Sequence, residues 1–141
     1  MHVYVLSYFD YEDSEIRGVY TKSSMLSEKK RFADLRRERH EEMINENESI
    51  ICNNIATRRK LAKKQEELLA KERDAYNTGN IELSKKIHSE RKEIIRLIDQ
   101  MSMAISNLER GIEKMRNMNE DELAEAYMCS RHLSFEEFEV I

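Results

Sequence analysis

The side chains best suited to hold a small charged ligand are arginines, an asparagine and tyrosines. Arg110, Arg116 and Asn117 lie close to Gly111 in a stretch of helical composition. An arginine fork can pair with two phosphate oxygens, and an asparagine amide can read the edge of a base. A glycine inside a helix costs about 1 kcal/mol relative to alanine and usually permits another group to approach closely. That group is either a neighbouring helix or a ligand.

Two tyrosines near the ends of the chain supply an aromatic complement. Tyr20 and Tyr127, with Arg17 and Arg131 close to them in sequence, could stack on an adenine ring if the two ends converge. The alternative is that both tyrosines pack a sheet against the helices. The candidate ligand-binding residues are therefore, in chain order, Arg17, Tyr20, Arg110, Arg116, Asn117, Tyr127 and Arg131.

Other patterns give little support to a metal site or to catalysis. Cys129 and His132 have the spacing of half a zinc site, but no second pair stands at ligand spacing. His40 lies in a charged run with no second histidine at helical spacing, so we expect a solvated helix residue. No nucleophile stands beside a base, and no glycine-rich phosphate loop is present. We expect a protein without catalytic activity, metal or cofactor.

The composition favours long, exposed helices. Charged residues make up 37% of the 141 positions, proline is absent, and the mean hydropathy is −0.77. The net charge of −4 arises from interspersed signs, which argues against nucleic acid polymers and anionic membranes as partners. We find no signal peptide and no apolar run of about 18 residues, so we expect a cytoplasmic location. Cys52 and Cys129 are expected to be free thiols.

A coiled-coil seam dominates the second half of the chain. Its apolar residues recur in steps of four and three, at Ile94, Ile98, Met101, Ile105, Leu108, Ile112 and Met115. Such a stripe must be buried, since each exposed large side chain forfeits about 1.5–3 kcal/mol. Serines at positions 23, 24 and 27 predict a helix start, and the turn Asn77–Asn80 separates that first helix from a second one, Ile81–Met118. The short turn predicts an antiparallel helical hairpin over residues 24–118.

The flanks of the seam and the chain ends complete the predicted architecture. Ile95, Leu97 and Ala104 widen the apolar surface beyond what one helix covers, which predicts a homodimer or higher oligomer. Residues 1–21 are predicted to form a β-hairpin, and 119–141 a short helix, Glu120–Met128, followed by a strand, Phe135–Ile141. The predicted fold class is α+β and mostly α, with a bundled helical hairpin and a small antiparallel sheet from both ends, in a single domain, 1–141.

The two ends of the chain resemble a group of small phage and prophage proteins. The resemblance lies in Val3 to Ser7, Asp10 to Glu12, Ile16 to Tyr20, and Phe135 to Val140. In that group a hairpin, a helix and a last strand form the body, and the long helical hairpin is the departure from it. A small sheet with two long helices that assemble further is similar to the first class of Thoeris anti-defence proteins.

That resemblance implies a function by capture. The Thoeris anti-defence proteins of this class bind cyclic ADP-ribose isomers, and some members bind cyclic oligonucleotides, without cleaving them. It implies a phage protein in the host bacterial cytosol, whose partners are a cyclic nucleotide immune signal and further copies of itself. The alternative is an oligomeric coiled-coil adaptor or inhibitor that acts through protein–protein contact. A nucleic acid binder is less favoured, because acidic residues neutralise every basic cluster of the first helix.

Overall fold

The computed structural model describes residues 1–141, of which 73% are helical. The elements follow in the order β1 (His2–Phe9), β2 (Ser14–Tyr20), α1 (Lys22–Asn77), α2 (Ile81–Arg116), α3 (Glu120–Ser130) and β3 (Leu133–Glu139). Two long helices pack against each other, and the strands from both chain ends form one antiparallel sheet. The predicted α+β class is therefore confirmed, while the predicted oligomer stays a prediction.

The chain divides into two compact units. The terminal unit comprises Met1–Met43 and Lys114–Ile141, and the hairpin unit comprises Ile44–Glu113. The long helices α1 and α2 each contribute residues to both units. The prediction of a single domain over 1–141 stays a prediction.

The hairpin unit is held by an apolar contact between α1 and α2. Leu68 and Ala75 of α1 pack with Ile87 and Ile94 of α2 in one buried cluster. The turn between the helices depends on Gly79, whose φ of +82° lies in the left-handed region that glycine adopts at little cost. The Asn80 side chain then caps α2, because its Oδ1 accepts a hydrogen bond from the Leu83 amide at 3.2 Å.

The predicted seam on α2 is buried in the structure. Ile94, Ile105 and Ile112 are buried, and the remaining seam residues are partly buried, namely Ile98, Met101, Leu108 and Met115. Beside the seam, Ile95 and Leu97 remain exposed. This confirms the alternation of steps as a register of burial, and it leaves one exposed apolar side chain on each side of the seam.

A partly buried ion cluster also joins the two helices of the hairpin unit. The carboxylate of Glu72 accepts a hydrogen bond from Arg91 Nε at 2.8 Å, and its other oxygen lies 2.9 Å from His88 Nδ1. Burial alone would raise the pKa of Glu72, but the hydrogen bonds and charges of Arg91 and His88 outweigh it and lower this pKa. The cluster thus keeps its carboxylate ionised and ties α1 to α2.

The terminal unit is built on the sheet, with β1 between β2 and β3. Tyr4 is paired with Tyr20 on one side and with Glu137 on the other. A bulge at Leu6/Ser7 shifts the register between β1 and β2. One core cluster below the sheet contains Leu6, Phe32 and Met128. The sheet is thereby joined to α1 and α3 by aromatic and aliphatic contacts.

The ends of the elements differ from the predicted ends by a few residues. Helix α1 begins at Lys22, because Thr21 rather than a serine caps it: Thr21 Oγ1 accepts a hydrogen bond from the Ser24 amide at 3.1 Å. The predicted capping pair of α3 is confirmed, since Asn119 and Glu122 form a capping box. Helix α3 runs on to Ser130.

The last strand starts earlier than the predicted Phe135, at Leu133. His132 has a φ of +56°, and this left-handed residue lets the chain leave α3 and reverse at once. Its carbonyl oxygen accepts a hydrogen bond from the Phe9 amide at 2.8 Å, which brings the following residue into the sheet. The sequence pattern of alternating residues did not show this reversal.

The prediction that His40 is solvated is wrong, since this side chain is 4% exposed. Its Nε2 accepts a hydrogen bond from Arg36 Nε at 3.0 Å, and its Nδ1 has no partner. Burial, together with the charge of Arg36, lowers the pKa of His40 below its ordinary value. The folded protein therefore favours the neutral form of this imidazole.

We expect His40 to make the fold less stable in mild acid. Because its pKa is lower in the folded than in the unfolded chain, the unfolded chain binds a proton first as the pH falls below about 6.5. The stability that the neutral ring contributes is present at neutral pH and is lost in that window. Lowering the pH from about 7.5 to about 5.5 should lower the melting temperature more for the wild type than for His40→Gln. Equal losses in both proteins would contradict this.

Candidate ligand-binding site

A pocket lies in the terminal unit, between the sheet and the helices α1 and α3. Its volume is about 580 Å³, within the range of small-molecule sites. Residues of β1, β2, α1, α3 and β3 contribute to it, together with the two residues between α3 and β3. Its lining consists of Leu6, Tyr8, Arg17, Tyr20, Glu28, Arg31, Phe32, Tyr127, Arg131, His132 and Leu133. The pocket is therefore assembled from both ends of the chain.

Four of the seven predicted ligand-binding residues meet in this pocket. Arg17 and Tyr20 reach it from β2, Tyr127 from α3, and Arg131 from the residue after α3. The convergence of the two chain ends, on which the prediction depended, is thus present in the structure. Whether these four residues bind a ligand stays a prediction.

The other three predicted residues do not line the pocket. Arg110 belongs to the hairpin unit, where it donates a hydrogen bond to Asn107 Oδ1 on its own helix. Arg116 ends α2, and Asn117 stands exposed in the turn that follows. A Cβ on Gly111 would meet no atom within 4 Å, so close packing against another element does not require this glycine, and the predicted ligand contact stays a prediction.

Each arginine of the pocket rests on an aromatic ring. The guanidinium carbon of Arg17 lies 5.1 Å from the centroid of the Tyr8 ring. That of Arg31 lies 5.3 Å from the Phe32 ring, and that of Arg131 lies 4.9 Å from the Tyr127 ring. Such cation–π contacts restrain the long side chains without occupying their N–H donors, two of which Arg31 directs to Glu28. The pocket therefore presents three oriented cationic groups.

The two predicted tyrosines pack against aromatic neighbours. The Tyr127 ring stacks on Phe32 with centroids 4.7 Å apart and planes 18° from parallel, and Arg131 also lies over it. Tyr20 meets Phe135 edge to face at 5.5 Å. Both tyrosines also pack against the core cluster that joins the sheet to the helices, and both lie in the pocket wall.

The charges of the lining are unequal. Three arginines and one glutamate give the lining a formal charge of +2 with His132 neutral. Arg31 forms an ion pair with Glu28, and their hydrogen bond raises the pKa of Arg31. Nη2 of Arg17 lies 3.5 Å from Oε2 of the exposed Glu15. Arg131 has no carboxylate partner, so it is the cation of the pocket with most capacity to bind an external anion.

Sequence reasoning missed several lining residues, among them Glu28, Arg31 and Phe32 of α1. Their spacing places Glu28 and Arg31 one turn apart, which a charged helix shows at many positions. The packing of Phe32 into the core places this part of α1 against the sheet. The single aromatic residue in a charged stretch of α1 is the signal that could have found them.

Gly18 controls the position of Tyr20 in the pocket wall. A Cβ at residue 18 would lie 2.9 Å from Cε2 of the Tyr20 ring, so Gly18→Ala must displace this ring. For a nucleotide bound in this pocket, we expect the variant to weaken the affinity by about 10-fold, equal to about 1.4 kcal/mol, when measured by titration calorimetry. The matched control is Gly111→Ala, whose Cβ meets nothing. An unchanged affinity for Gly18→Ala would show that the Tyr20 position is irrelevant.

No set of three or more histidine, cysteine or acidic side chains is arranged to hold a metal ion. Cys52 and Cys129 are both exposed and unpaired. None of the three helices combines the length and apolar composition needed to cross a bilayer. No protein-family model matches the chain, and comparisons with curated proteins and with solved structures gave no match.

Proposed function

We propose that this protein binds a phosphate-bearing nucleotide in the pocket of the terminal unit and holds it without changing it chemically. The observation that carries the proposal is the set of three arginines, each resting on an aromatic ring, around one cavity. Guanidinium groups match the geometry of phosphate oxygens, and prior restraint of the side chains lowers the entropic cost of binding.

The remaining lining supports a nucleotide over a simple anion. Tyr8 and Tyr20 add aromatic surface to the wall, and Leu6 and Leu133 add apolar surface. A base can be accommodated against such surface, while the formal charge of +2 favours a ligand with negative charge. The lining lacks a nucleophile placed against a general base, so binding is the function that its groups support best.

We propose a cyclic nucleotide immune signal as the ligand, of the cyclic ADP-ribose type or a cyclic oligonucleotide. Support for this choice comes from the resemblance of the chain ends to phage proteins, and from the combination of a small sheet with long helices. In this proposal the protein acts in the cytoplasm of a host bacterium, where it lowers the free concentration of the signal. Inhibition would then scale with affinity and copy number.

The proposal is tested by titration calorimetry with cyclic ADP-ribose isomers, ADP and cyclic oligonucleotides. We expect heat with at least one of these ligands and a dissociation constant of about 1 μM or lower. The complex is then denatured by heat, and the released ligand is analysed by chromatography. Recovery of the intact ligand supports sequestration, and recovery of a cleaved product contradicts it. Absence of heat with every nucleotide contradicts the function as a whole.

A second candidate function is an oligomeric coiled-coil adaptor or inhibitor that acts by protein contact. The observation that favours it is the exposure of large apolar residues along α2, such as Ile95, Leu97 and Met103. Self-association of the chain as a dimer or higher oligomer would bury some of these side chains in either function. Analytical ultracentrifugation with and without nucleotide separates the two, because only the first function predicts that a nucleotide binds to the oligomer.

A further inference from the structure

Glu28 is the only carboxylate in the pocket lining. It lies near the start of α1, and its side chain is 20% exposed. A partly desolvated carboxylate in a cavity made for an anion opposes the binding of that anion. Its presence in the lining therefore calls for a role other than attraction of phosphate.

The hydrogen bonds of Glu28 leave one of its oxygens unused. Oε1 accepts from Arg31 Nε at 3.0 Å and also from Arg31 Nη2. No protein donor bonds to Oε2. An ionised carboxylate has about four acceptor positions on its two oxygens, so Glu28 can accept further hydrogen bonds. A ligand in the pocket that offers an O–H or N–H group can supply them.

We propose that Glu28 makes the pocket selective for phosphate ligands that also carry a hydrogen-bond donor, such as a ribose hydroxyl or an amino group of a base. This inference rests on the proposed function and names what the same site recognises. A ligand with a donor satisfies Oε2, whereas a ligand with anionic oxygens alone meets repulsion from the carboxylate. Glu28 thus weakens the binding of simple phosphates and strengthens the binding of ligands that carry a nucleoside.

The division of charge among the arginines agrees with this role. Arg31 is already neutralised by Glu28, and Arg17 is close to the carboxylate of Glu15. Arg131, which has no carboxylate partner, is left to bind the phosphate. The pocket then contains a cation at Arg131 and a hydrogen-bond acceptor at Glu28. A nucleotide offers the complementary groups, an anionic phosphate and hydrogen-bond donors on its ribose or base.

The test compares ADP with inorganic pyrophosphate, which share a diphosphate and differ in the nucleoside donors. Affinities of the wild type, Glu28→Gln and the matched control Glu125→Gln are measured by titration calorimetry. Glu125 is an exposed residue of α3 outside the pocket. We expect the wild type and the control to prefer ADP by about 10-fold or more, and Glu28→Gln to lose most of this preference by binding pyrophosphate more tightly.

The outcomes separate this inference from the proposed function. If Glu28→Gln keeps the wild-type preference, the role of Glu28 is disproved while nucleotide binding stands. If the wild type does not bind ADP, or binds it no better than pyrophosphate, the selectivity is likewise disproved. The titrations with cyclic nucleotides then decide separately whether the proposed function survives. Circular dichroism of the variants checks that the helices are intact.

Discussion

Replacing Arg131 with glutamine is expected to weaken nucleotide binding by about 10- to 100-fold, since a hydrogen bond to a charged group contributes about 1.5–3 kcal/mol. Arg131 is the pocket arginine without a carboxylate partner, and it lies over the Tyr127 ring. The neutral amide can still donate a hydrogen bond but cannot form a charge-assisted fork with phosphate. Titration calorimetry with the best ligand of the nucleotide panel measures the loss.

Two further arginine variants make this result specific. Arg59→Gln removes an exposed positive charge from the hairpin unit and should retain the wild-type affinity. Arg116→Ala tests the site that was expected from the sequence around Gly111. If that site binds the nucleotide, this variant loses binding. A loss with Arg116→Ala and none with Arg131→Gln would disprove the pocket of the terminal unit as the site.

Replacing Phe32 with alanine is expected to lower the free energy of unfolding by about 3–5 kcal/mol. The Phe32 side chain is 2% exposed, stacks on Tyr127, and packs with Leu6 and Met128. Its removal leaves a cavity in the layer that joins the sheet to α1 and α3, and it deletes the ring under Arg31. Urea unfolding followed by circular dichroism measures the change.

Leu26→Ala is the matched control for Phe32→Ala. Leu26 lies on the same helix in the same unit but is 53% exposed, so its truncation should cost less than about 1 kcal/mol. The two variants remove large apolar side chains from positions six residues apart in sequence. Similar losses in both would contradict the assignment of Phe32 to the core of the terminal unit.

Much of the fold was predictable because local and periodic signals agree. The apolar seam from Ile94 to Met115 lies on one face of α2, so it predicted which face of this helix is buried. Asn119 and Glu122 form a capping box whose spacing is visible in the sequence, and Gly79 marks the turn of the hairpin. The N-terminal strands were predictable from their β-branched and aromatic residues, and the last strand from its alternating residues.

The site was predictable only in part, because it depends on which surfaces meet. Arg17, Tyr20, Tyr127 and Arg131 were placed together from their chemistry and from the expected meeting of the ends. The stretch around Gly111 was selected on the cost of a helical glycine, but that cost does not reveal whether anything lies near it. His40 shows the same limit, since polarity in a charged run does not reveal its burial.

The position of β1 between β2 and β3 has a consequence for biosynthesis. The first partner of β1 follows it directly in the chain, whereas the second emerges from the ribosome only after α1, α2 and α3 have been made. Contacts between residues so distant in sequence are slow to form, because chain closure must precede any gain in energy. A nascent chain that ends before Arg131 contains β1, β2, α1 and α2 but lacks part of the lining, so the pocket closes only after Leu133 has been made.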